Sequence, residues 1–411
     1  MTMQPRHRTA TVRERTVVAA CVFAFLSAPL ARAETIAILP FANVSHSAIP
    51  NAARMDWIGA AVAETVREAL AARGADVLSR EEVAAAYTSL RLRPFAELTQ
   101  ASIFKLAGTL KADQVLYGTF SFAPPMLTIR GRILQRQTFE QTPALEEMGV
   151  LEDLPGLEAH LSWRVLTLLT PGAAPAEGDF RSLRTPVRLD AEESYIRGLL
   201  AATIEQREKD FRQAARLEPT YWRPAFELGK ILMTRKSYRE AATWLERVQP
   251  SDAGYPEAAF LLGISKFHSG DTLASQEIFL RLSGTVPLSG IFNNLGAAQS
   301  RGGLPSAAGS FRRALADDPG DPDYHFNLGY FLWKTGQFDA AADEFRAVVD
   351  RVPSDSIATL LLGRSITKRG PRKDAPGDAR LLSLERIKES FADLGYRRRV
   401  SSAPARTEPR P

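Results

Sequence analysis

Residues 322–355 read PDYHFNLGYFLWKTGQFDAAADEFRAVVDRVPSD, and they carry the clearest structural pattern of the sequence. It holds two apolar segments, separated by a turn at Thr335-Gly336 and closed by Pro353. Because proline lacks a backbone N–H and ends a helix, the pattern predicts a hairpin of two helices. Gly329 in the first helix is small and allows a close approach, and Phe345 in the second fills the space between the helices.

The same pattern recurs along the chain. A Leu-Gly pair returns at steps of 34, 33, 33 and 34 residues, and this period predicts stacked helical hairpins. The clearest units are 222–255, 256–288, 289–321 and 322–355. The residues predicted to pack the repeats are Gly229, Gly263, Gly296, Gly329, Gly363, Ala341, Phe345 and Pro353. Upstream, Phe211, Ala214 and Pro219 indicate the second half of a degenerate first unit.

Residues 190–363 therefore resemble the tetratricopeptide repeat (TPR) family in spacing and in residue type. One feature departs from that family, because its usual tryptophan is replaced by Ala225, Ala259, Phe292 and His325. The resemblance implies an all-α superhelix whose first helices line a concave groove that binds protein.

Carrying those groove positions over gives aromatic and basic side chains in each unit. The predicted groove residues are Phe226, Lys230, Met233, Phe260, Phe267, His268, Asn293, Ser300, Arg301, Phe326, Tyr330, Trp333, Lys334, Arg364 and Lys368. Aromatics supply contact area and Lys or Arg supply charge pairing, so the predicted ligand is an extended or helical peptide with acidic groups. The alternative is that the aromatics pack between hairpins instead.

Residues 1–33 have the pattern of an export signal. Four arginines precede the apolar run Val17–Leu26, and Ala31-Arg32-Ala33 forms an A-x-A cleavage site. We expect cleavage after Ala33 and a location in the periplasm or cell envelope. A membrane anchor is disfavoured, since the run falls short of the roughly 20 residues that span a bilayer. Cys21, the only cysteine, also leaves a lipoprotein box open, although few apolar residues precede it.

Residues 34–170 predict a separate α/β domain. Thr35–Phe41 is an apolar strand, a helix over 55–73 follows it, and Ser79 with Glu82 forms a capping box. Segments 114–122 and 126–136 predict a hairpin around two prolines. These elements, with the motif ILPF at 38–41, VLSR at 77–80 and ADQVLYG at 112–118, resemble the amino-terminal domain of the periplasmic protein TolB. That resemblance implies a binding module of the bacterial envelope.

Three further segments complete the chain. Residues 171–189 begin with a stretch rich in Pro, Ala and Gly and predict a linker. Residues 364–396 predict a capping region with a terminal helix over 381–394, because a solenoid must cover its last apolar face. Residues 397–411 predict a disordered basic tail.

Composition and motifs favour a protein without catalysis. The net charge of +5 divides into +4 for residues 1–33, +7 for 364–411 and −6 between them, so no basic nucleic-acid domain is indicated. The histidines lack metal-ligand spacing, and Ser365 with Lys368 matches S-x-x-K without the motifs that accompany it in penicillin-binding enzymes. No cofactor or metal is predicted, and the oligomeric state stays open.

The sequence thus predicts an α/β amino-terminal domain followed by an all-α TPR superhelix. The predicted function is a non-catalytic exported adaptor or scaffold for protein–protein interactions in the bacterial cell envelope. The alternative is an accessory subunit or docking arm of a cell-wall enzyme system, with an active site within 34–170.

Overall fold

The computed structural model describes residues 34–45, 52–170, 172, 174–182, 187–372 and 378–391. The predicted export signal and the predicted basic tail lie outside the described residues, as does Leu394 of the predicted terminal helix. All the described residues belong to one compact unit that begins at Glu34. Among them, no helix is both long and apolar enough to cross a membrane.

The amino-terminal part is a mixed six-stranded sheet with four helices. The strands are β1 (Thr35–Ile38), β2 (Ala42–Asn43), β3 (Asp76–Val77), β4 (Gln114–Ala123), β5 (Met126–Gln135) and β6 (Leu145–Val150). The helices are α1 (Asp56–Ala71), α2 (Arg80–Ser89), α3 (Gln100–Leu110) and α4 (Leu154–Leu169). The strand order is β3-β1-β4-β5-β6, and β2 pairs with β4.

The sheet combines parallel and antiparallel pairing. β1 lies parallel to β3 and β4, with Ile38 opposite Leu116, while β4 and β5 form the antiparallel hairpin that the sequence predicted. The capping box is also confirmed, because Ser79 accepts from the Glu82 N–H at 3.2 Å and Glu82 accepts from the Ser79 N–H at 2.8 Å. The edge strand β6 was not predicted, since its residues lack a clear alternation of apolar and polar side chains.

In the part of the chain that the structure describes, twelve α-helices, α5 to α16, follow α4. They are α5 (Glu177–Ser182), α6 (Leu189–Leu200), α7 (Ile204–Leu217), α8 (Trp222–Thr234), α9 (Tyr238–Leu245), α10 (Tyr255–Ser269), α11 (Thr272–Thr285), α12 (Ser289–Arg301), α13 (Ala307–Asp317), α14 (Pro322–Lys334), α15 (Phe338–Arg351) and α16 (Ser356–Ile366). From α6 to α15 they form five antiparallel hairpins, and α16 stacks on the last of them. The TPR solenoid is therefore confirmed, and its first hairpin is complete, with α6 supplying the half that the sequence left undefined.

One apolar core runs from the sheet into the first repeats. Buried Ile38 and Leu116 of the sheet, Val62 of α1, and Tyr195 and Phe211 of α6 and α7 belong to a single cluster. The predicted linker contributes to this core, because it contains α5 and its Phe180 is buried there. The solenoid thus begins directly on the helical layer of the sheet.

Four of the five predicted repeat glycines lie where paired helices approach closely, and Gly363, which the sequence also predicted to pack the repeats, is the exception. A Cβ atom added at Gly296 would lie 2.7 Å from carbons of the Phe311 ring, which is closer than real Cβ contacts come. At Gly363 of α16, by contrast, no such atom lies within 4 Å. The difference arises because α12 packs on the second helix of its own hairpin, whereas no helix among the described residues follows α16.

This difference predicts opposite results for the same substitution. Gly296→Ala is expected to lower the free energy of unfolding by about 1–3 kcal/mol through overpacking. Gly363→Ala is expected to leave it unchanged or to raise it by up to about 1 kcal/mol, since alanine favours a helix. Thermal unfolding followed by circular dichroism checks both, and an equal change in the two variants would contradict the close-approach explanation.

Candidate functional site: the occupied concave groove

The chain's own residues 378–391, which we name the groove segment, lie against the first helices of the repeats, the surface that the sequence predicted to form the groove. Ala379–Leu381 forms one short 3-10 turn, and the residues from Ser383 to Ser390 are neither helix nor strand. The predicted terminal helix is therefore wrong over these residues. The spacing of Leu384, Ile387 and Phe391 fits a helix, but here the groove rather than an i−4 carbonyl binds the backbone of the segment.

Three buried asparagines hold the backbone of the groove segment. Asn327 donates to the Arg386 carbonyl at 2.6 Å and accepts from the Arg386 N–H at 2.8 Å. Asn294 makes the same two bonds with the backbone of Lys388, donating to its carbonyl at 2.8 Å and accepting from its N–H at 2.7 Å. Asn293 adds a bond to the Arg386 carbonyl at 2.9 Å and accepts from Asn327 at 2.7 Å. These bonds satisfy main-chain groups, so they fit any extended chain whatever its side chains.

A pocket of positive charge encloses the Glu385 side chain. Its carboxylate accepts from Lys334 Nζ at 2.9 Å, from Ser300 Oγ at 3.1 Å and from Arg301 Nη2 at 3.2 Å. The side chain is 0% exposed. The Arg301 guanidinium in turn lies 3.7 Å from the centroid of the Phe267 ring, which fixes its position. We name Ser300, Arg301 and Lys334 the carboxylate pocket.

The next two basic residues of the groove segment contact carboxylates on the repeats. Arg386 Nη2 lies 2.7 Å from Asp355 Oδ2, and its Nη1 lies 3.4 Å from Asp323 Oδ1. Lys388 Nζ lies 2.8 Å from both Asp321 and Asp323. Burial opposes the charge of Lys388, yet its hydrogen bonds to Asp321 and Asp323 raise its pKa above the usual value. We name these three aspartates the acidic pocket.

Apolar contacts anchor both ends of the groove segment. Leu381 is buried, and its carbonyl accepts from Tyr330 Oη at 2.7 Å. Phe391 is also buried, with its ring centroid 5.4 Å from that of Phe260. Ile387 packs between them against the cores of two neighbouring repeats. Burial raises the pKa of Tyr330, which therefore stays a neutral donor.

The predicted groove residues divide into two groups. Those in contact with the groove segment are Phe260, His268, Asn293, Ser300, Arg301, Phe326, Tyr330, Lys334 and Arg364. Those with other contacts are Phe226 with Lys230, Met233 with Ser265, Phe267 with Arg301, Trp333 with the Arg369 carbonyl, and Lys368 with Asp339. Phe326 has both of the roles considered for the aromatics. It packs against Phe345 of its own hairpin, and it contacts the Arg386 guanidinium of the groove segment.

The sequence prediction missed Asn294, Asn327 and the acidic pocket. A signal for the asparagines was present, because each directly precedes a Leu-Gly pair in consecutive units. The aspartates lie at or near the starts of α14 and α16, where such residues are expected as helix caps. The groove is accordingly a surface of both charges, and the acidity of a partner stays a prediction.

The contacts described for the groove are non-covalent. Every polar contact described for it is a hydrogen bond or an ion pair, and Ser365 of the S-x-x-K match is fully buried with its hydroxyl donating to the Leu361 carbonyl at 2.8 Å. Within the described ranges, no group of three His, Cys, Asp or Glu side chains could hold a metal ion.

Comparison with known proteins gives a match to a repeat family and to several solved structures. A family profile for the tetratricopeptide repeat matches residues 208–256, 297–356 and 332–370. Among solved structures, MamA from Desulfovibrio magneticus is 19% identical, with 40% of this chain and 95% of that chain covered and a TM-score of 0.36. YrrB, described as a TPR protein with an unusual peptide-binding site, is 17% identical over 46% and 95%, with a TM-score of 0.33.

A third similar structure is the carboxy-terminal domain of LpoB from Salmonella enterica. It is 20% identical, with 29% of this chain and 83% of that chain covered and a TM-score of 0.23. A search of curated proteins returned no match. The resemblance of residues 34–140 to TolB is not confirmed by these matches and stays a prediction. The 34-residue period, the stacked hairpins and the matched family profile identify the carboxy-terminal helical part of this chain as a tetratricopeptide repeat solenoid.

Proposed function

We propose that this protein is a non-catalytic adaptor that binds an extended segment of a partner protein in its concave groove, within the bacterial cell envelope. The observation that carries the proposal is the backbone recognition by Asn294 and Asn327, each of which bonds both the N–H and the carbonyl of one residue. A surface that satisfies main-chain groups in this way suits an extended peptide, since such groups are costly to bury unpaired.

The location in the envelope rests on the sequence of residues 1–33. Their basic start, short apolar run and A-x-A site support export with a mature amino terminus at Glu34. Intact-mass measurement of the protein from the periplasm of a bacterial host tests this part. A product that retains residues 1–33, or that stays in the cytoplasm, would contradict it.

The groove is tested by capture from an envelope extract, with a bait whose groove is open. Glu385→Lys removes the carboxylate from its pocket and is expected to free the groove segment, so this variant is the bait. The matched control carries Glu385→Lys together with Asn294→Ala and Asn327→Ala. A partner is expected on the bait and at least about tenfold less on the control, because two pairs of main-chain bonds are lost.

Circular dichroism must show that bait and control are equally folded. Equal capture by the two variants would mean that the asparagines do not bind the partner, and it would exclude the groove as its site.

A further inference from the structure

The groove segment is a built-in ligand, and its contacts describe the chemistry of any segment that replaces it. The backbone bonds of Asn294 and Asn327 supply affinity without selecting a sequence. Selection must come from the side-chain pockets beside them, as it does when strands or peptides are recognised through their main chain.

Two of those pockets have opposite charge and lie side by side. The carboxylate pocket surrounds Glu385, and the acidic pocket takes Arg386 and Lys388. A carboxylate placed among the three aspartates, or a lysine placed against Arg301 and Lys334, would bury like charges together. The groove therefore distinguishes the order of charges along the ligand as well as their presence.

The apolar contacts fix the positions around these charges. Leu384 and Ile387 pack on the repeat cores, on either side of Glu385 and Arg386. Phe391 reaches Phe260 on α10, which sets the far end of the site. A ligand must therefore have its carboxylate and its aromatic ring as far apart along the chain as Glu385 and Phe391 are.

We propose that the groove selects partner proteins through an extended segment of one chemistry. The segment carries a carboxylate, with Lys or Arg at the first and third positions after it. Apolar residues stand directly before the carboxylate and two positions after it, and an aromatic ring stands six positions after it. This inference rests on the proposed function and names its ligand class. Such a partner binds in competition with the groove segment.

Competition with the groove segment determines how high the affinity of a partner must be. The groove segment is joined to the repeats, so its effective concentration at the groove is expected to be about 1 mM. With an intrinsic dissociation constant of about 10 µM for the groove segment itself, this occupancy weakens the apparent binding of a competing peptide to the wild-type chain by about 100-fold. A partner with higher affinity, or one that is present in several copies, displaces the segment.

The test uses a fluorescent peptide with the sequence of residues 381–391, LLSLERIKESF, and measures fluorescence anisotropy with the chain from Glu34 onward. The Glu385→Lys chain is expected to bind this peptide about 100-fold more tightly than the wild-type chain does. The control is Glu389→Lys, the same substitution in the same segment at a side chain that is 68% exposed. Its binding is expected to stay within about tenfold of the wild type, because its exposed pair with His268 contributes little.

Two further arms test selection. A peptide with Lys in place of its first Glu, the one equivalent to Glu385, is expected to bind the Glu385→Lys chain at least tenfold more weakly than the original peptide. Adding Lys334→Ala to that chain is expected to weaken the original peptide by at least tenfold and the altered peptide much less. If Lys334→Ala weakens the original peptide much more than the altered one, the glutamate of the peptide binds in the carboxylate pocket. A general loss of folding would weaken both peptides alike.

Several results would overturn the inference. The inference fails if the Glu385→Lys chain is folded, with its groove segment released, and still does not bind the peptide. It also fails if the original and the altered peptide bind equally well. A wild-type dimer in which groove segments are exchanged would make a second copy the occupant and would also overturn it. The proposed function fails separately, if the open chain binds the peptide but captures no protein in a way that depends on Asn294 and Asn327.

Discussion

Glu385→Lys is expected to release the groove segment while the repeats stay folded. The replaced carboxylate is 0% exposed and paired with Arg301 and Lys334, so the substitution buries a third positive charge where a negative one stood. Breaking a buried pair costs about 3–5 kcal/mol. Because each 1.4 kcal/mol is a factor of ten, the segment is expected to open at least about 100-fold more often.

Amide hydrogen exchange measures this opening directly. The N–H groups of Arg386 and Lys388 donate to asparagine side chains, and they exchange only when the segment leaves the groove. Their protection is expected to fall by about 100-fold or more in Glu385→Lys. In the control Glu389→Lys it is expected to fall by less than about tenfold, since an exposed pair contributes little.

The outcome that contradicts this prediction is equal protection in the two variants. It would mean that the asparagines hold the backbone without help from the carboxylate pocket. Protection in the repeat helices serves as the internal reference, because it must stay unchanged if only the groove segment opens.

Tyr195→Ala is expected to destabilise the sheet and the repeats together. Tyr195 of α6 is buried beside the rings of Phe211 and Tyr221, in the core that continues to α1 and the sheet. Truncating a buried aromatic residue costs about 3–5 kcal/mol. Since one core joins the two parts, we expect the unfolding of both to shift by the same amount.

Guanidinium unfolding measures the loss of stability, and amide exchange in β4 and α10 shows whether both parts share it. Leu273→Ala is the control, because Leu273 lies on a repeat helix and is 72% exposed. It is expected to change the free energy of unfolding by less than about 0.5 kcal/mol. Loss of protection in α10 alone would show that the sheet and the solenoid unfold independently.

The groove illustrates how far sequence reasoning reaches. The resemblance to the TPR family implied that Asn293, Arg301, Tyr330 and Lys334 line the groove, and the fixed period then put equivalent positions of each unit on one side of the solenoid. It could not choose between a peptide-binding role and packing for the aromatics, because a ring at that position reaches neighbours on both sides. Phe326 does both.

The conformation of the groove segment could not be predicted from local sequence. Apolar residues at 384, 387 and 391 suit a helix, and local spacing offers nothing against one. The competing bonds come from Asn294 and Asn327, which lie 94 and 59 residues away from their partners in the chain. A local pattern cannot register contacts made over such separations.

The stacked hairpins, the length of each repeat, the sheet hairpin and the capping box at Ser79 could all be predicted from the sequence. Each of these depends on residues close together in the chain, whose spacing, small side chains and end signals act locally. Tertiary contacts were needed to establish that the sheet and the repeats share a core and that residues 378–391 lie in the groove without regular helix or strand. Both outcomes depend on which distant surfaces meet, and burial of apolar area and of main-chain polar groups settles that choice.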